Sequence, residues 1–257
     1  TNAFEITEDN KRGVINEGVL RITQSGQLIN QTSTNVGGII EIETPTLAND
    51  KWSFIGAPFA GYKIKAVKPG SKDIAISLFD YTTGNWAEDF ATIDDSVGSG
   101  EGFFAWSFAA EPTVFTTYGD GAETYNFETT PAYSLNNGRV EVEKNLTTNA
   151  EGGNWLALSN PYTFKLDVEK FLSEHGDIKG GEVYRFNGSV WTPVSEGEIN
   201  MTEGFFVNFE NPGTHSVSFS KLYIYEPAKS KAIEAKDYIT LNVAEGENIS
   251  KLRFAQN

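Results

Sequence analysis

The chain has 257 residues, 39% hydrophobic and 13% aromatic, which is enough apolar material for one large all-β domain or two of ordinary size. The formal net charge of −15 disfavours phosphate backbones, and no apolar run approaches the roughly 18 residues of a membrane span, so we predict neither nucleic-acid binding nor membrane insertion. Cysteine is absent, which excludes disulfides, thiolate zinc sites and cysteine nucleophiles.

The first part of the chain alternates apolar and polar side chains in short runs that are typical of β-strands. Residues 18–23 and 26–30 flank a Ser-Gly turn, which predicts an N-terminal β-hairpin. The next run, residues 38–43, places Ile40 and Ile42 on one face and glutamates on the other. This pattern predicts a half-buried strand.

Four landmarks then occur twice in the same order: an alternating strand, a tryptophan in an apolar run, a tryptophan after a hairpin turn, and a Glu-Gly-Phe-Phe strand. They lie at 38–43 and 138–143, Trp52 and Trp155, Trp86 and Trp191, and 101–104 and 203–206. The offset is about 103 residues. A repeat of this kind predicts two similar units.

Between these landmarks, each unit reaches a proline that ends its apolar strand. Unit two then shows a helical pattern over residues 166–176, with Asp167 as the predicted N-cap. Both units continue into a hairpin, over residues 78–86 and 183–191. Residues 237–254 predict a last hairpin close to the end of the chain.

Together these elements predict an all-β fold of two tandem β-sandwich-like units, of the jelly-roll or immunoglobulin-like kind. We place the first unit at residues 1–133, including the N-terminal hairpin, and the second at residues 134–257, including the C-terminal hairpin. That last hairpin either completes the second unit or opens a further domain. Because residue 1 is Thr rather than Met, we expect a processed form or a fragment of a larger protein.

Candidate catalytic residues are few. His175 and His215 lack the Gly-x-Ser-x-Gly turn of a serine hydrolase, and His175 fits better as a cation at the end of the predicted helix. Glu101 and Glu203 occupy matched positions and would form a hydrolytic carboxylate pair only if the two units brought them together. A glutamate that shapes the turn before each Gly-Phe-Phe strand is the simpler explanation. We therefore predict no enzyme, with a carboxylate-based hydrolase as the alternative.

Oxygen-rich loops provide the candidate metal ligands. Asp94, Asp95 and Asp120 lie in acidic or Gly-Asp-Gly loops of the type that binds Ca²⁺, but none matches the spacing of an EF-hand. Solvated acidic loops explain them more simply. We predict no cofactor and keep Ca²⁺ as the one open alternative.

Aromatic residues beside the hairpin turns provide the candidate ligand-binding site. A tryptophan just past a turn can expose its ring for stacking on a sugar, although aromatic pairs also stabilise hairpins from within. The candidate residues are Trp86, Trp191, Tyr81 and Phe186. Trp52 and Trp155 lie inside the most apolar runs and are predicted to be buried.

Unit two carries a recognisable pattern: Trp-x-x-x-x-Asn-Pro-Tyr from Trp155, Val-Tyr-x-Phe-Asn-Gly at 183–188 and Glu-Gly-Phe-Phe-Val at 203–207. It resembles a β-module that recurs in large secreted and surface proteins of Bacteroidetes bacteria, many of them adhesin-like and exported by the type IX system. The resemblance covers roughly residues 18–220 and implies a secreted or cell-surface location. Unit one departs from it, since Ala57 occupies the place of Asn160.

We therefore expect a non-catalytic extracellular or cell-surface module with an adhesive or structural role in a larger secreted protein. The alternative is a carbohydrate-binding module of a glycan-degrading system. The expected partners are a glycan or another surface protein. Exposure of Trp86 or Trp191 beside other aromatic rings would favour the alternative.

Overall fold

The protein is described by a computed structural model that covers residues 2–6, 19–23, 26–30, 39–46, 51–59, 62–63, 67–68, 74–92, 95–107, 112–116, 133–225, 238–245 and 248–255. The regular secondary structure of these residues is almost entirely β-strand, with a single α-helix of six residues. None of the helices among them has the length and apolar character needed to cross a bilayer.

The strands of the first half are short, as expected for runs broken by glycine and proline. In chain order they are β1 (Asn2–Ile6), β2 (Val19–Ile22), β3 (Gly26–Asn30), β4 (Ile39–Thr46), β5 (Trp52–Ile55), β6 (Tyr62–Lys63), β7 (Val67–Lys68), β8 (Ile74–Ser77), β9 (Phe79–Asp80), β10 (Asn85–Trp86), β11 (Ser96–Val97), β12 (Phe103–Ser107) and β13 (Pro112–Thr116).

The second half contains longer strands and the helix. They are β14 (Val140–Leu146), β15 (Asn154–Ser159), β16 (Leu166–Asp167), α1 (Val168–Ser173), β17 (Val183–Phe186), β18 (Trp191–Val194), β19 (Glu198–Ile199), β20 (Gly204–Phe209), β21 (Gly213–Phe219), β22 (Tyr238–Glu245) and β23 (Asn248–Ala255). Two 3₁₀ turns, Lys179–Gly181 and Lys221–Tyr223, complete the described elements.

Two sheets enclose a first core. One has the order β2-β4-β13-β7 and the other the order β5-β12-β8. Ile40 and Ile42 of β4 are fully buried between them and share the core with Ile55 of β5 and Phe103 of β12. The strand predicted at residues 38–43 is confirmed from Ile39 onward, with Ile40 and Ile42 on its core face as expected, but Ile39 on the opposite face is buried as well; residue 38 lies outside the described residues.

A second core lies between the β14-β21 ribbon and a sheet of order β15-β20-β17-β18. On β14, Val140 and Val142 are buried while the alternating residues face solvent, which is the expected period of two. Helix α1 adds Phe171 to this core, and its predicted N-cap is confirmed because the Asp167 carboxylate accepts the backbone N–H of Lys170 at 3.0 Å. The predicted all-β, sandwich-like fold is thus confirmed.

The predicted N-terminal hairpin is wrong. β2 pairs in parallel with β4, and β3 pairs in parallel with β1. The turn is present, since Gly26 N–H donates to Thr23 O at 2.9 Å, but the two strands enter different sheets. β3 instead contacts the second half of the chain, where Leu28 N–H donates to Thr163 O at 2.9 Å and the Thr163 hydroxyl donates to Leu28 O at 2.6 Å. Alternation fixes the buried face of a strand but not its partner.

The C-terminal hairpin is confirmed. β22 pairs with β23 in antiparallel register from Tyr238 opposite Ala255 to Glu245 opposite Asn248. The unit boundary near residues 133–134 and the internal repeat stay predictions.

The two cores join where strands of both halves meet end to end. Ile55, at the end of β5, bridges Glu203, and Leu158 of β15 bridges Glu101. Reciprocal bonding of this kind is what a local two-fold axis produces. Two more bonds follow the same pattern: Gly56 N–H to Thr202 O at 3.0 Å, and Ser159 N–H to Gly100 O at 2.8 Å. We call this contact region the junction.

Glycines allow the backbones to approach closely at the junction. A Cβ added to Gly102 would lie 2.4 Å from Leu158 O, and one added to Gly204 would lie 2.9 Å from the backbone carbonyl carbon of Phe54. Only a residue without a side chain fits such an approach. Met201 crosses the junction and packs in the first core, so the two halves also interlock.

Candidate functional site

The outward faces of the two main sheets are aromatic. On β5, Ile55 faces the first core, so the alternating Trp52 and Phe54 face the other way. On β12, Phe103 faces the core and Phe104 faces outward. Antiparallel sheets normally present polar side chains on the face turned away from the core. The packing of the first core therefore does not explain why the outward face of these sheets is aromatic.

The sheet that covers the second core shows the same arrangement. Trp155 of β15, Tyr184 and Phe186 of β17, and Phe206 of β20 lie on the side of their sheet opposite the second core. Trp155 and Tyr184 meet edge to face, with ring centroids 4.9 Å apart. Trp191 of β18 lies directly across from Phe186 in the β17-β18 hairpin.

The junction merges these two surfaces into one. Phe54 of β5 lies 5.0 Å from Phe206 of β20, and Phe104 of β12 lies 5.1 Å from Phe186 of β17, both measured between ring centroids. We call the combined surface the aromatic face. Its members are Trp52, Phe54, Phe79, Tyr81, Trp86, Phe104, Trp155, Ala157, Tyr184, Phe186, Trp191 and Phe206.

Trp86 and Trp191, predicted as ligand-binding residues, both belong to the aromatic face. Trp86 is half-buried and stacks on Phe104 with 4.1 Å between the centroids and 31° between the planes. Trp191 is 37% exposed and packs on Phe186 at 4.8 Å. Both indoles also approach the edge of Phe54, at 5.6 and 5.5 Å. The structure thus brings together two tryptophans that are 105 residues apart in the sequence.

Tyr81 and Phe186, the other two predicted residues, have different positions in the aromatic face. Phe186 lies between Phe104 and Trp191 and remains half-buried. The Tyr81 hydroxyl turns into the junction and donates to Ala157 O at 3.3 Å, and burial raises the pKa of this phenol well above its usual value. Tyr81 therefore supports the rings from below rather than offering its hydroxyl to a ligand.

The prediction that Trp52 and Trp155 are buried is corrected by the structure. Both lie on the aromatic face and are only half-buried, as Trp86 and Phe186 are. Their strands are apolar on both sides, so the sequence did not reveal which side faces the core. Phe90, which is 60% exposed and 6.0 Å from Trp52, extends the surface at one edge and was not predicted. The available signal was the alternation of aromatic residues on the paired strands: Trp-x-Phe on β5 and Phe-x-Trp on β12, where Trp106 lies 5.3 Å from Trp52 and extends the surface further.

The matched glutamates are held in ion pairs at the junction. Glu203 accepts from Arg185 Nε at 2.6 Å and Nη2 at 2.8 Å, and also from the backbone and side-chain amides of Asn200 at 2.9 and 2.8 Å. Glu101 pairs with Lys144 at 2.6 Å. Four donors on one carboxylate fix the turn that precedes β20. This geometry corresponds to the turn-shaping role considered for these residues.

The two histidines have structural partners. His175 is buried, and its Nδ1 lies 2.7 Å from Phe171 O while its Nε2 accepts the backbone N–H of Ser218 at 3.1 Å. One nitrogen therefore donates and the other accepts, which defines a neutral ring and corrects the expectation of a helix-terminal cation. His215 stacks on Phe209 with 4.0 Å between ring centroids.

The candidate metal ligands do not form a cluster in the described part of the chain. Asp95 accepts the backbone N–H of Thr92 at 2.6 Å and the Thr92 hydroxyl at 3.0 Å, so its carboxylate closes a local turn. Asp94 and Asp120 lie outside the described residues. Over the described ranges, no group of three or more His, Asp or Glu side chains has an arrangement that could hold a metal ion.

Comparison with protein families matches residues 1–211 to a family described as a domain of unknown function, DUF8693. The chain belongs to this family. The matched region contains every member of the aromatic face and the whole junction, whereas the C-terminal hairpin lies beyond it. No curated protein and no solved structure matched the chain.

Proposed function

We propose that the chain is a non-catalytic carbohydrate-binding module of a secreted or cell-surface protein, and that the aromatic face is its binding surface. The observation that carries this proposal is the exposure of Trp191 beside Phe186, on a sheet face turned away from both cores and over the same buried Phe54 ring that Trp86 contacts. The extracellular setting rests on the sequence resemblance to secreted and surface β-modules.

Exposed aromatic surface favours a bound partner. An aromatic ring buries roughly 150–250 Å² when it is fully covered, at about 25 cal/mol per Å². Trp191 is 37% exposed. Covering the rest of its ring would therefore contribute about 1–2 kcal/mol to binding, before any contribution from neighbouring rings. Contiguous apolar patches of this kind mark interaction sites on soluble proteins.

The aromatic rings support a sugar as the ligand. Eleven Phe, Tyr and Trp side chains form one contiguous surface. A pyranose presents C–H groups of slight positive charge, which pack against the negative face of an aromatic ring. The net charge of −15 repels anionic polysaccharides, so the glycan is expected to be neutral.

Titration with a polysaccharide panel tests this proposal. We expect a neutral glucan, xylan, mannan or galactan to change the intrinsic tryptophan fluorescence and raise the melting temperature, and polygalacturonate to do neither. Trp191→Ala should weaken binding about tenfold, since it removes about 1–2 kcal/mol of stacking. Leu222→Ala is the matched control, because Leu222 is 81% exposed but lies beside Tyr223, on the α1 side of the second core.

Binding to none of the neutral glycans would overturn the proposal. An adhesive or structural role through contact with another surface protein is the second candidate. Phe90 favours it, because it is 60% exposed and lies 6.0 Å from Trp52 at the edge of the same surface. Loss of self-association or partner binding in a Phe90→Ser variant, without any glycan binding, would establish that alternative.

A further inference from the structure

Trp86 and Trp191 come from different units but border the same three rings. Their centroids lie 5.6 and 5.5 Å from Phe54, 4.1 and 6.0 Å from Phe104, and 5.7 and 5.0 Å from Phe206. Each of these shared rings is at most 9% exposed. The two indoles are therefore separated by no more than one buried ring and belong to one surface.

This surface is complete only when both units are joined. Phe54 and Phe104 come from β5 and β12 of the first unit, and Phe206 comes from β20 of the second. Their contacts depend on the strand ends that meet at the junction, where Ile55 bridges Glu203. Neither unit alone could present both indoles over the same buried rings.

The two indoles have similar orientations relative to the buried rings. Trp86 is inclined by 31° and Trp191 by 40° to Phe104, and both stand almost perpendicular to Phe54, at 88° and 80°. Their angles to Phe206 are also similar, at 62° and 57°. Two indoles placed in this way over the same rings can stack on different sugars of one glycan chain.

We infer that one soluble, uncharged glycan chain spans the junction and stacks on Trp86 and Trp191 at the same time. This inference rests on the proposed function and adds the form of the ligand and the need for both units. A monosaccharide reaches one indole only. A longer chain reaches the second indole intramolecularly, which raises its affinity without any new type of contact.

The experiment compares oligosaccharides of one to six units from neutral glucan, xylan and mannan by calorimetric titration. The proteins are the full wild-type chain, Trp86→Ala, Trp191→Ala, the double variant and the Leu222→Ala control. We expect wild-type affinity to increase at least tenfold once the chain is long enough to reach both indoles. Each single variant should lose this length dependence, the double variant should lose binding, and the control should match wild type.

Each other outcome overturns the inference. If only one of the two tryptophan substitutions weakens binding, or if affinity does not depend on chain length, the site lies within one unit. The inference then fails, while the proposed function survives. Retention on insoluble cellulose without oligosaccharide binding would indicate a flat surface and would refute the single-chain ligand. Binding to no carbohydrate removes both proposals. Near-ultraviolet circular dichroism checks the fold of each variant, and Trp86→Phe and Trp191→Phe, which keep a ring, replace any alanine variant that unfolds.

Discussion

Substitution of Gly204 by alanine should separate the two halves of the molecule. A Cβ at this position would lie 2.7 Å from Phe54 Cγ and 2.9 Å from the Phe54 backbone carbonyl carbon. Real Cβ atoms essentially never approach other atoms so closely, and the backbone of β5 cannot rotate away as a flexible side chain can. The junction must therefore open where Ile55 bridges Glu203.

The expected cost follows from two contributions. Forcing an extra methyl group into a close-packed region costs about 1–3 kcal/mol. Displacing Phe54 also weakens its contacts with Phe206 at 5.0 Å and Phe104 at 5.3 Å, and each aromatic pair contributes about 0.5–1.5 kcal/mol. Because the neighbours relax partly, we expect Gly204→Ala to lower the free energy of unfolding by about 2–4 kcal/mol.

Urea denaturation followed by tryptophan fluorescence measures this change, because the aromatic face contains the tryptophans that would report it. Gly138→Ala is the matched control: nothing lies within 4 Å of a Cβ added to Gly138, so its effect should stay within about 0.5 kcal/mol. If Gly204→Ala and Gly138→Ala unfold at the same urea concentration, the close approach at the junction does not contribute to stability, and the reasoning is refuted.

Three further predictions concern hydrogen bonds and titration. Asn160 is fully buried, donates to Phe164 O at 2.6 Å and accepts the Tyr162 N–H at 2.9 Å. Asn160→Ala should therefore lower the free energy of unfolding, measured in urea, by about 2–4 kcal/mol. An unchanged urea midpoint would contradict this prediction. Arg185→Met removes the guanidinium that pairs with Glu203, whose side chain is 15% exposed. We expect the free energy of unfolding, measured by thermal denaturation, to fall by about 1–3 kcal/mol and to recover largely when Glu203→Gln is added. If the second substitution brings no recovery, the two side chains are not a coupled pair. A hydrogen bond to Glu182 raises the pKa of Tyr184 to about 12. The unfolded chain then releases the Tyr184 proton at lower pH than the folded chain, so stability should fall as pH rises from 10 to 12. The fall should be less steep in Tyr184→Phe. If a plot of denaturation midpoint against pH has the same slope for both proteins, the assignment is refuted.

Several elements of the fold followed directly from local sequence. Alternation at 138–143 gave the buried face of β14, and Asp167 marked the start of α1. The C-terminal hairpin followed from two alternating runs around a Glu-Gly turn. Each of these features depends on residues within a few positions of one another, where backbone periodicity and capping decide the structure.

Pairing between distant strands could not be predicted in the same way. The N-terminal hairpin was expected because β2 and β3 are adjacent in sequence, yet each pairs in parallel with another strand. The pairing of β2 with β4 places Ile22 in the first core. Such a choice depends on core residues from the whole unit, and short-range turn chemistry does not contain that information.

For a related reason, only part of the candidate site could be predicted from the sequence. Hairpin turns indicated Trp86 and Trp191, but Trp52 was assigned to a core because its strand is apolar throughout. Period-two alternation separates the two faces of a strand only when one face is polar. On β5 and β12 both faces are apolar, so the aromatic face becomes visible only once the cores have been located.

A sheet that is apolar on both faces must cover the second face or leave it for a ligand. This protein does both in part: contact across the junction buries Phe54, Phe104 and Phe206, while Trp191 at the margin stays 37% exposed. The close approach that buries the central rings depends on Gly204, so the stability of the junction and the shape of the proposed binding surface have one structural origin. It follows that Gly204→Ala should weaken glycan binding as well as stability, although Gly204 itself is buried and the atoms nearest to a Cβ added there all belong to Phe54. Full binding by a destabilised Gly204→Ala variant would show that the rings hold their arrangement without the junction.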